Sequence, residues 1–297
     1  METKPTSIFK AKTQEGHMIK ILAELLQHNI KTGCFMVNEK SIHLRMMDTH
    51  RKILIDLELL AENFSIYKFK HHEPLNIGLN LSHFHRMLKS IKKKDSLVLY
   101  IKSDDLNNLY IKVIPKENNR ISTSIIKIQN TQNIEITLPD NYSKPIIVPS
   151  TEYQKMCKEM NNIGNTINVK SKGFYIKFKC DAGGVYSREV LFGELEDTGD
   201  GDSSEEEEMI SEYCQDFDSE QLSRIIKISG LSSHMQIYPK NDLPLLFKSC
   251  VGNLGKIMLF IKSKEQIELD ILHEDLEGQD DSGNEDNVDS DDNEYSE

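Results

Sequence analysis

The sequence contains no uninterrupted run of 18 apolar residues, so no membrane-spanning helix is expected. Its opening, METKPTSIFK, lacks the apolar centre of a secretory signal, and a soluble, unsecreted protein is expected. Cysteines are few: Cys34, Cys157, Cys180, Cys214 and Cys250 are odd in number and widely spaced, which encodes neither a CxxC zinc site nor a disulfide framework. They are expected to be buried thiols in a reducing compartment. No GxxxxGK phosphate loop, no GxGxxG opening a helix and no GxSxG elbow occurs. His83 and His85, two apart on an expected helix, point to different faces, and His71 and His72 have no further ligand at metal spacing. Asp104 and Asp105 fall in an expected hairpin turn, where aspartate serves turn geometry. Enzyme chemistry therefore has no foothold, and no catalytic residue, metal or cofactor is expected.

What is present is charge, unevenly placed. The chain has 297 residues, long enough for two domains, and a net charge of -12 that on its face argues against nucleic acid as a partner. Residues 194–212 hold ten acids and residues 273–297 hold twelve, with no lysine or arginine in either stretch. Removing their -22 from the total of -12 leaves +10 for the rest. The part of the chain able to fold is thus basic, and the acidity is confined to segments that self-repel and cannot build a core.

The chain also repeats itself. The segment at 81–113, LSHFHRMLKSIKKKDSLVLYIKSDDLNNLYIKV, has a counterpart about 137 residues on, at 218–250, and 15–46 has one at 150–178. Each reads as an amphipathic helix leading into alternating strands, as in SLVLYIK (96–102), LYIKVI (109–114), FYIKFK (174–179) and KIMLFIK (256–262). Between the halves, Pro139, Pro145 and Pro149 forbid helix and favour an extended connector. The expected organisation is an extension over 1–7, a domain over 8–127, a connector over 128–143, a second domain over 144–272 and an acidic tail over 273–297. The fold class is α+β, two similar domains, each with two helices packed on antiparallel sheet.

The four helices share a charge pattern. Over 82–93, Phe84, Met87, Leu88 and Ile91 form an apolar stripe, while Arg86, Lys89 and Lys93 recur at i, i+3 and i+7 on another face, extended by Lys92 and Lys94. The helix near 151–162 turns Lys155 and Lys158 outward, the helix near 219–229 turns Arg224 and Lys227 outward, and the first helix turns Lys20 outward. One such face is the ordinary solvated side of a surface helix. Four with few acids beyond their first turns suit contact with a phosphate backbone without reading of sequence. The aromatic interleaving of single-strand binders is missing from these faces.

The order and spacing of LRMMDTHRKILIDL (44–57), GLNLSHFHRMLKSI (78–91), VPSTEYQKMCKEMNNIG (148–164), QLSRIIKISGL (221–231) and LPLLFKSCVGNLGKIMLFIKSK (243–264) resemble the proliferating cell nuclear antigen family, the eukaryotic-type sliding clamps, over roughly residues 8–265. The resemblance implies a DNA polymerase processivity factor: a homotrimeric ring of six similar DNA-clamp domains, helices lining a hole around duplex DNA. The ring-lining cations of the family fall on Lys20, Arg86, Lys89, Lys155, Lys158, Arg224 and Lys227. Helices packed about 10 Å apart agree: four span about 40 Å, so about three chains enclose a hydrated duplex. The resemblance implies subunit joints between RISTSIIKI (120–128) and YSREVLFGE (186–194), both alternating and prone to aggregate if left open.

It also implies a docking pocket beneath the connector at Met47, Leu54, Ile136, Leu138, Pro139, Pro244 and Phe260, with Arg51 at its edge where the family commonly has histidine. Partners implied are duplex DNA, polymerase, clamp loader, ligase and nuclease, in replication and repair. The isoleucine-, lysine- and asparagine-rich usage points to an AT-rich genome such as that of a large DNA virus, so the compartment is the nucleus or a viral replication site. Two other readings stand beside this one: an acidic, histone-chaperone-like binding protein, and a subunit of a heterotrimeric clamp.

Overall fold

The computed structural model describes residues 6–117, 120–131, 134–142, 144–194 and 212–280, with the backbone path alone over 274–280. The first half runs β1 (Ser7–Thr13), α1 (Gly16–Gln27), β2 (Thr32–Val37), β3 (Ser41–Met47), β4 (Ile53–Leu60), β5 (Ile66–Phe69), β6 (Leu75–Asn80), α2 (Leu81–Leu88), β7 (Ser96–Lys102), β8 (Asp105–Ile114) and β9 (Ser122–Lys127). The second half repeats the plan with β10 (Ile146–Pro149), α3 (Ser150–Met160), β11 (Thr166–Lys172), β12 (Tyr175–Asp181), β13 (Ser187–Gly193), β14 (Tyr213–Asp218), α4 (Ser219–Arg224), β15 (His234–Tyr238), β16 (Leu245–Val251) and β17 (Gly255–Ile261). A last helix, α5 (Lys264–Asp280), follows.

Among the described residues every strand pairing is antiparallel, and the strands form three sheets. One has the order β5-β1-β7-β8-β9 and another β13-β12-β11-β14. The third, β10-β15-β16-β17-β4-β3-β2-β6, crosses from one half to the other through the pair β17 and β4, in register from Gly255 opposite Leu59 to Ile261 opposite Ile53. The two halves consequently share one sheet and one continuous apolar core. α1 buries Ile19, Leu22, Ala23, Leu25 and Leu26 into it, and α3 buries Tyr153, Met156 and Met160. Fully burying each of these leucine, isoleucine and methionine side chains contributes about 1.5–3 kcal/mol.

The structure corrects several expectations. The helix expected over 82–93 ends at Leu88. Asn80 caps its start, its side chain accepting the His83 amide at 3.0 Å, and Asp95 folds 92–95 into a turn by accepting the Lys92 amide at 2.9 Å. Lys93 therefore lies on that turn, off the helix and out of its i+7 position. The helix expected near 219–229 breaks at Ile225, giving the short α4 and then a 3-10 turn over Ile226–Gly230. Three cysteines are buried, but Cys214 and Cys250 are exposed, because both fall on outward positions of their strands.

α5 runs on past residue 273, where the acidic tail is expected to start, to Asp280. A capping box explains its start: Ser263 accepts the Gln266 amide at 3.2 Å, and Gln266 accepts the Ser263 amide at 3.0 Å. Most of the acidic loop, 195–211, and the tail from 281 lie outside the described residues.

Candidate nucleic-acid face and docking pocket

The helices α1 to α4 lie side by side, while α5 packs on β14. α2 packs on α1, α1 packs on the 3-10 turn at 226–230, and that turn and α4 pack on α3. Contact between the halves is close here, as a Cβ on Gly230 would stand 2.9 Å from Ile21 Cδ1. This layer carries all the expected cations except Lys93, in two groups.

Arg86, Lys89, Lys155 and Lys158 are exposed. Lys20, Arg224 and Lys227 are half-buried and engaged. Lys20 Nζ donates to the carbonyls of Lys89 and Ile91, Lys227 pairs with Glu24 at 2.7 Å, and Arg224 pairs with Glu220 at 2.8 Å and stands 3.9 Å from Asp48. The second group thus ties the layer together as well as charging it.

The field of this face is visible in its titratable groups. Burial and then Lys20 and Lys93 push the His17 imidazole below its ordinary value. Burial lowers His85 too, and Lys89 and Lys20 add to that lowering against the opposing charge of Glu24. For Glu24, burial favours the neutral acid, but the hydrogen bond and charge of Lys227 outweigh it and hold the carboxyl low.

The expected pocket residues come together over the outer face of the central sheet. Leu54, Leu246 and Phe260 form a small buried cluster apart from the main core, and Met47, Ile136, Leu138, Tyr142, Tyr238 and Met258 pack against it. Pro139 and Pro244 are half-buried at its margin, and Arg51 is exposed on the turn between β3 and β4 with a φ of 55°.

Several contacts among the described residues lead the connector across the sheet to this patch. The Gln129 amide donates to the Gly78 carbonyl at 2.8 Å, where a Cβ on Gly78 would sit 2.3 Å from Gln129 O and only glycine fits. Arg45 donates from Nη1 to the Ile136 carbonyl at 3.1 Å, and Tyr142 donates its hydroxyl to the Pro244 carbonyl at 2.7 Å.

Arg45 is itself aimed by Asp56. Asp56 Oδ1 accepts Arg45 Nε at 2.7 Å and lies 2.9 Å from His43 Nε2, with Asp56 only 4% exposed. Burial alone would raise its carboxyl, but the bonds from His43 and Arg45 override that and hold it below the ordinary aspartate value.

Leu246, Met258, Tyr142, Tyr238, Arg45 and Asp56 were missed by sequence reasoning. A signal existed for the strand residues. LPLLF and the IMLFI of 257–261, the latter expected to alternate, are continuous apolar runs, and a strand apolar on both faces must be covered on both. The side chain of Leu246 meets the connector, whereas Leu245 and Phe247 enter the main core.

Among the described residues no group of three or more His, Cys, Asp or Glu side chains comes together as a metal site, and no helix is long and apolar enough to cross a membrane.

Two repeated α+β domains sharing a sheet, with a layer of basic helices on one side and an apolar patch under a connector on the other, define a clamp-type protein. Residues 8–136 match the family model for the proliferating cell nuclear antigen N-terminal domain, and residues 137–264 match that for its C-terminal domain. The chain belongs to the proliferating cell nuclear antigen family, the DNA sliding clamps.

Among its relatives is a probable DNA polymerase sliding clamp of Paramecium bursaria Chlorella virus 1, 24% identical over 86% of this chain and 96% of the relative. The proliferating cell nuclear antigen of Dictyostelium discoideum is 23% identical over 86% and 99%, and that of Chaetomium thermophilum 22% over 86% and 98%.

Proposed function

We propose that this chain is a DNA polymerase processivity factor that works as a homotrimeric ring around duplex DNA. One observation carries the ring. β4 is the third strand after the first helix of its half and β13 is its counterpart; β17 is the third strand after the second helix and β9 is its counterpart. Within the chain β17 pairs with β4, while β9 and β13 each end a sheet, with no further strand beside them among the described residues. Repeating the internal joint between copies pairs β9 of one with β13 of the next. Such a head-to-tail contact makes a ring when its rotation returns the last copy to the first, and both open edges are then covered. With a layer of four helical segments per chain, three chains suffice.

The helix layer then faces the hole. Arg86, Lys89, Lys155 and Lys158 meet phosphates directly, with Lys20, Arg224 and Lys227 supporting them. Phosphate contacts carry no sequence information, so the ring slides, and closure keeps it on the DNA. The patch around Leu54, Phe260, Ile136, Leu138, Met47, Pro139 and Pro244, with Arg51 at the edge, takes a short helical turn bearing an aliphatic and aromatic anchors, the docking segment of a polymerase, loader, ligase or nuclease. On this reading the clamp domains span 8–127 and 144–272, joined by the connector at 128–143, and the ring works in the nucleus or at a viral replication site.

The test combines mass and topology. The purified chain is expected to have the mass of a trimer, to remain on closed circular DNA after loading, and to leave when that DNA is linearised. A stable monomer, or release that ignores linearisation, would sink the reading.

A further inference from the structure

The lysines beyond α2 lie on the turn that follows it and not on a helix, although Lys93 is near enough to α1 to act on His17. Lys92, Lys93 and Lys94, together with Lys116 and Arg120, line a cleft of about 1030 Å³ whose wall includes Val113, Ser122 and Ser124 of β8 and β9. All five cations are exposed. Two carboxylates share the cleft, Asp95 and Glu117, and Asp95 is engaged in closing its own turn through the Lys92 amide. Five like charges around one cleft repel one another, and an anionic occupant relieves that repulsion.

The position of the cleft says where the occupant comes from, on the ring reading above. In the internal joint the strands run antiparallel, so that Gly255 at the start of β17 faces Leu59 near the end of β4. Transferred to β9 and β13, the end of β13 at Gly193 lies beside the start of β9 at Ser122, next to Arg120 and the cleft. Glu194 follows directly and opens the stretch 194–212, with its ten acids and no lysine or arginine. At about 3.3 Å per extended residue, the stretch from Glu194 to Glu208 has ample length to reach across the cleft.

We propose that this cleft receives the acid-rich segment beginning at Glu194 of the neighbouring copy, an electrostatic contact across each subunit joint. Lys93 thereby belongs to the joint and not to the DNA face. The contact makes ring stability depend on salt through solvent-exposed charges, which are screened beyond about 8 Å at physiological ionic strength.

The experiment uses the full chain and two neutralised variants, Lys92→Ser/Lys93→Ser/Lys94→Ser and Glu205→Ser/Glu206→Ser/Glu207→Ser/Glu208→Ser. A third variant exchanges the charges, with Lys92, Lys93 and Lys94 each changed to Glu and Glu205, Glu206 and Glu207 each changed to Lys. Trimer dissociation is measured by analytical ultracentrifugation at about 50 mM and about 500 mM salt, alongside retention on closed circular DNA. Both neutralised variants are expected to dissociate about tenfold more readily than wild type at low salt and equally at high salt, and the exchanged variant to recover the trimer.

If neutralising the lysines leaves the trimer intact but shortens residence on DNA, the cleft reads phosphate and the proposal falls. It also falls if only the lysine variant, and not the acid variant, weakens the trimer. A wild-type chain monomeric at both salts overturns the ring reading itself, and this inference with it.

Discussion

Lys20 Nζ donates to the carbonyl oxygen of Lys89 across 2.8 Å, so a cation of α1 closes the open end of α2 while standing among the residues expected to meet DNA. It shares that role with a second bond to the Ile91 carbonyl at 3.1 Å. Cations on this face are therefore of two kinds, and mutation should separate them.

Lys158→Glu changes an exposed side chain and is expected to shorten residence on closed circular DNA several-fold with no change in melting temperature. Lys20→Met is expected to do both, removing about 1–3 kcal/mol of hydrogen bonding from a charged donor and lowering the melting temperature by a few degrees. Loading assays and calorimetry on the same preparations test the distinction; equal melting temperatures for the two variants would contradict it.

Tyr142→Phe removes the hydroxyl that holds the connector to Pro244 and keeps the ring that stands 6.1 Å from Phe260. A net cost of about 1 kcal/mol is expected, read as a roughly fivefold loss of affinity for an aromatic docking peptide in titration calorimetry. Unchanged affinity would mean that the connector is held without this bond.

Asp56 supplies a pH dependence whose sign is set by its lowered carboxyl. A depressed folded value means that its stabilisation is complete above the unfolded aspartate value of about 4 and fades as pH falls through the folded value. Asp56→Asn, which leaves Arg45 and His43 without a charged partner, is expected to cost about 3 kcal/mol at pH 7, and the gap from wild type should narrow below about pH 4. Urea unfolding across that range measures it. The same variant should weaken peptide docking, because Arg45 is what holds Ile136.

Ile125 is 57% exposed on the open edge strand β9. Ile125→Lys places a charge where a second copy is expected to pair, and should give a folded monomer that falls from circular DNA. Light scattering decides; an intact trimer would place the joint elsewhere.

The strand over 174–179 was legible because half-buried strands alternate, as Ile176, Phe178 and Cys180 do in β12, and the cations of the layer were legible because α1 and α3 keep helical spacing through their length. The end of α2 was not. Lys89 and Lys93 fit a helical wheel, but Asp95 captures the Lys92 amide and ends the helix, a competition between side chain and backbone that periodicity does not register. The apolar patch under the connector was half legible: Leu54 and Phe260 were named from the sequence, while Tyr142 and Leu246 were not. Their role depends on a connector crossing a strand from more than a hundred residues away.

Sequence alone determined the repeat, the α+β class and the separation of +10 from -22, because local periodicity and composition are written along the chain. Tertiary structure decided which cations lie free on the helix layer and which bind it together, where α2 stops, and that β9 and β13 end their sheets while their counterparts pair. Those outcomes depend on which distant segment reaches a given backbone group first, and buried hydrogen-bonding groups must find such a partner wherever the fold brings one.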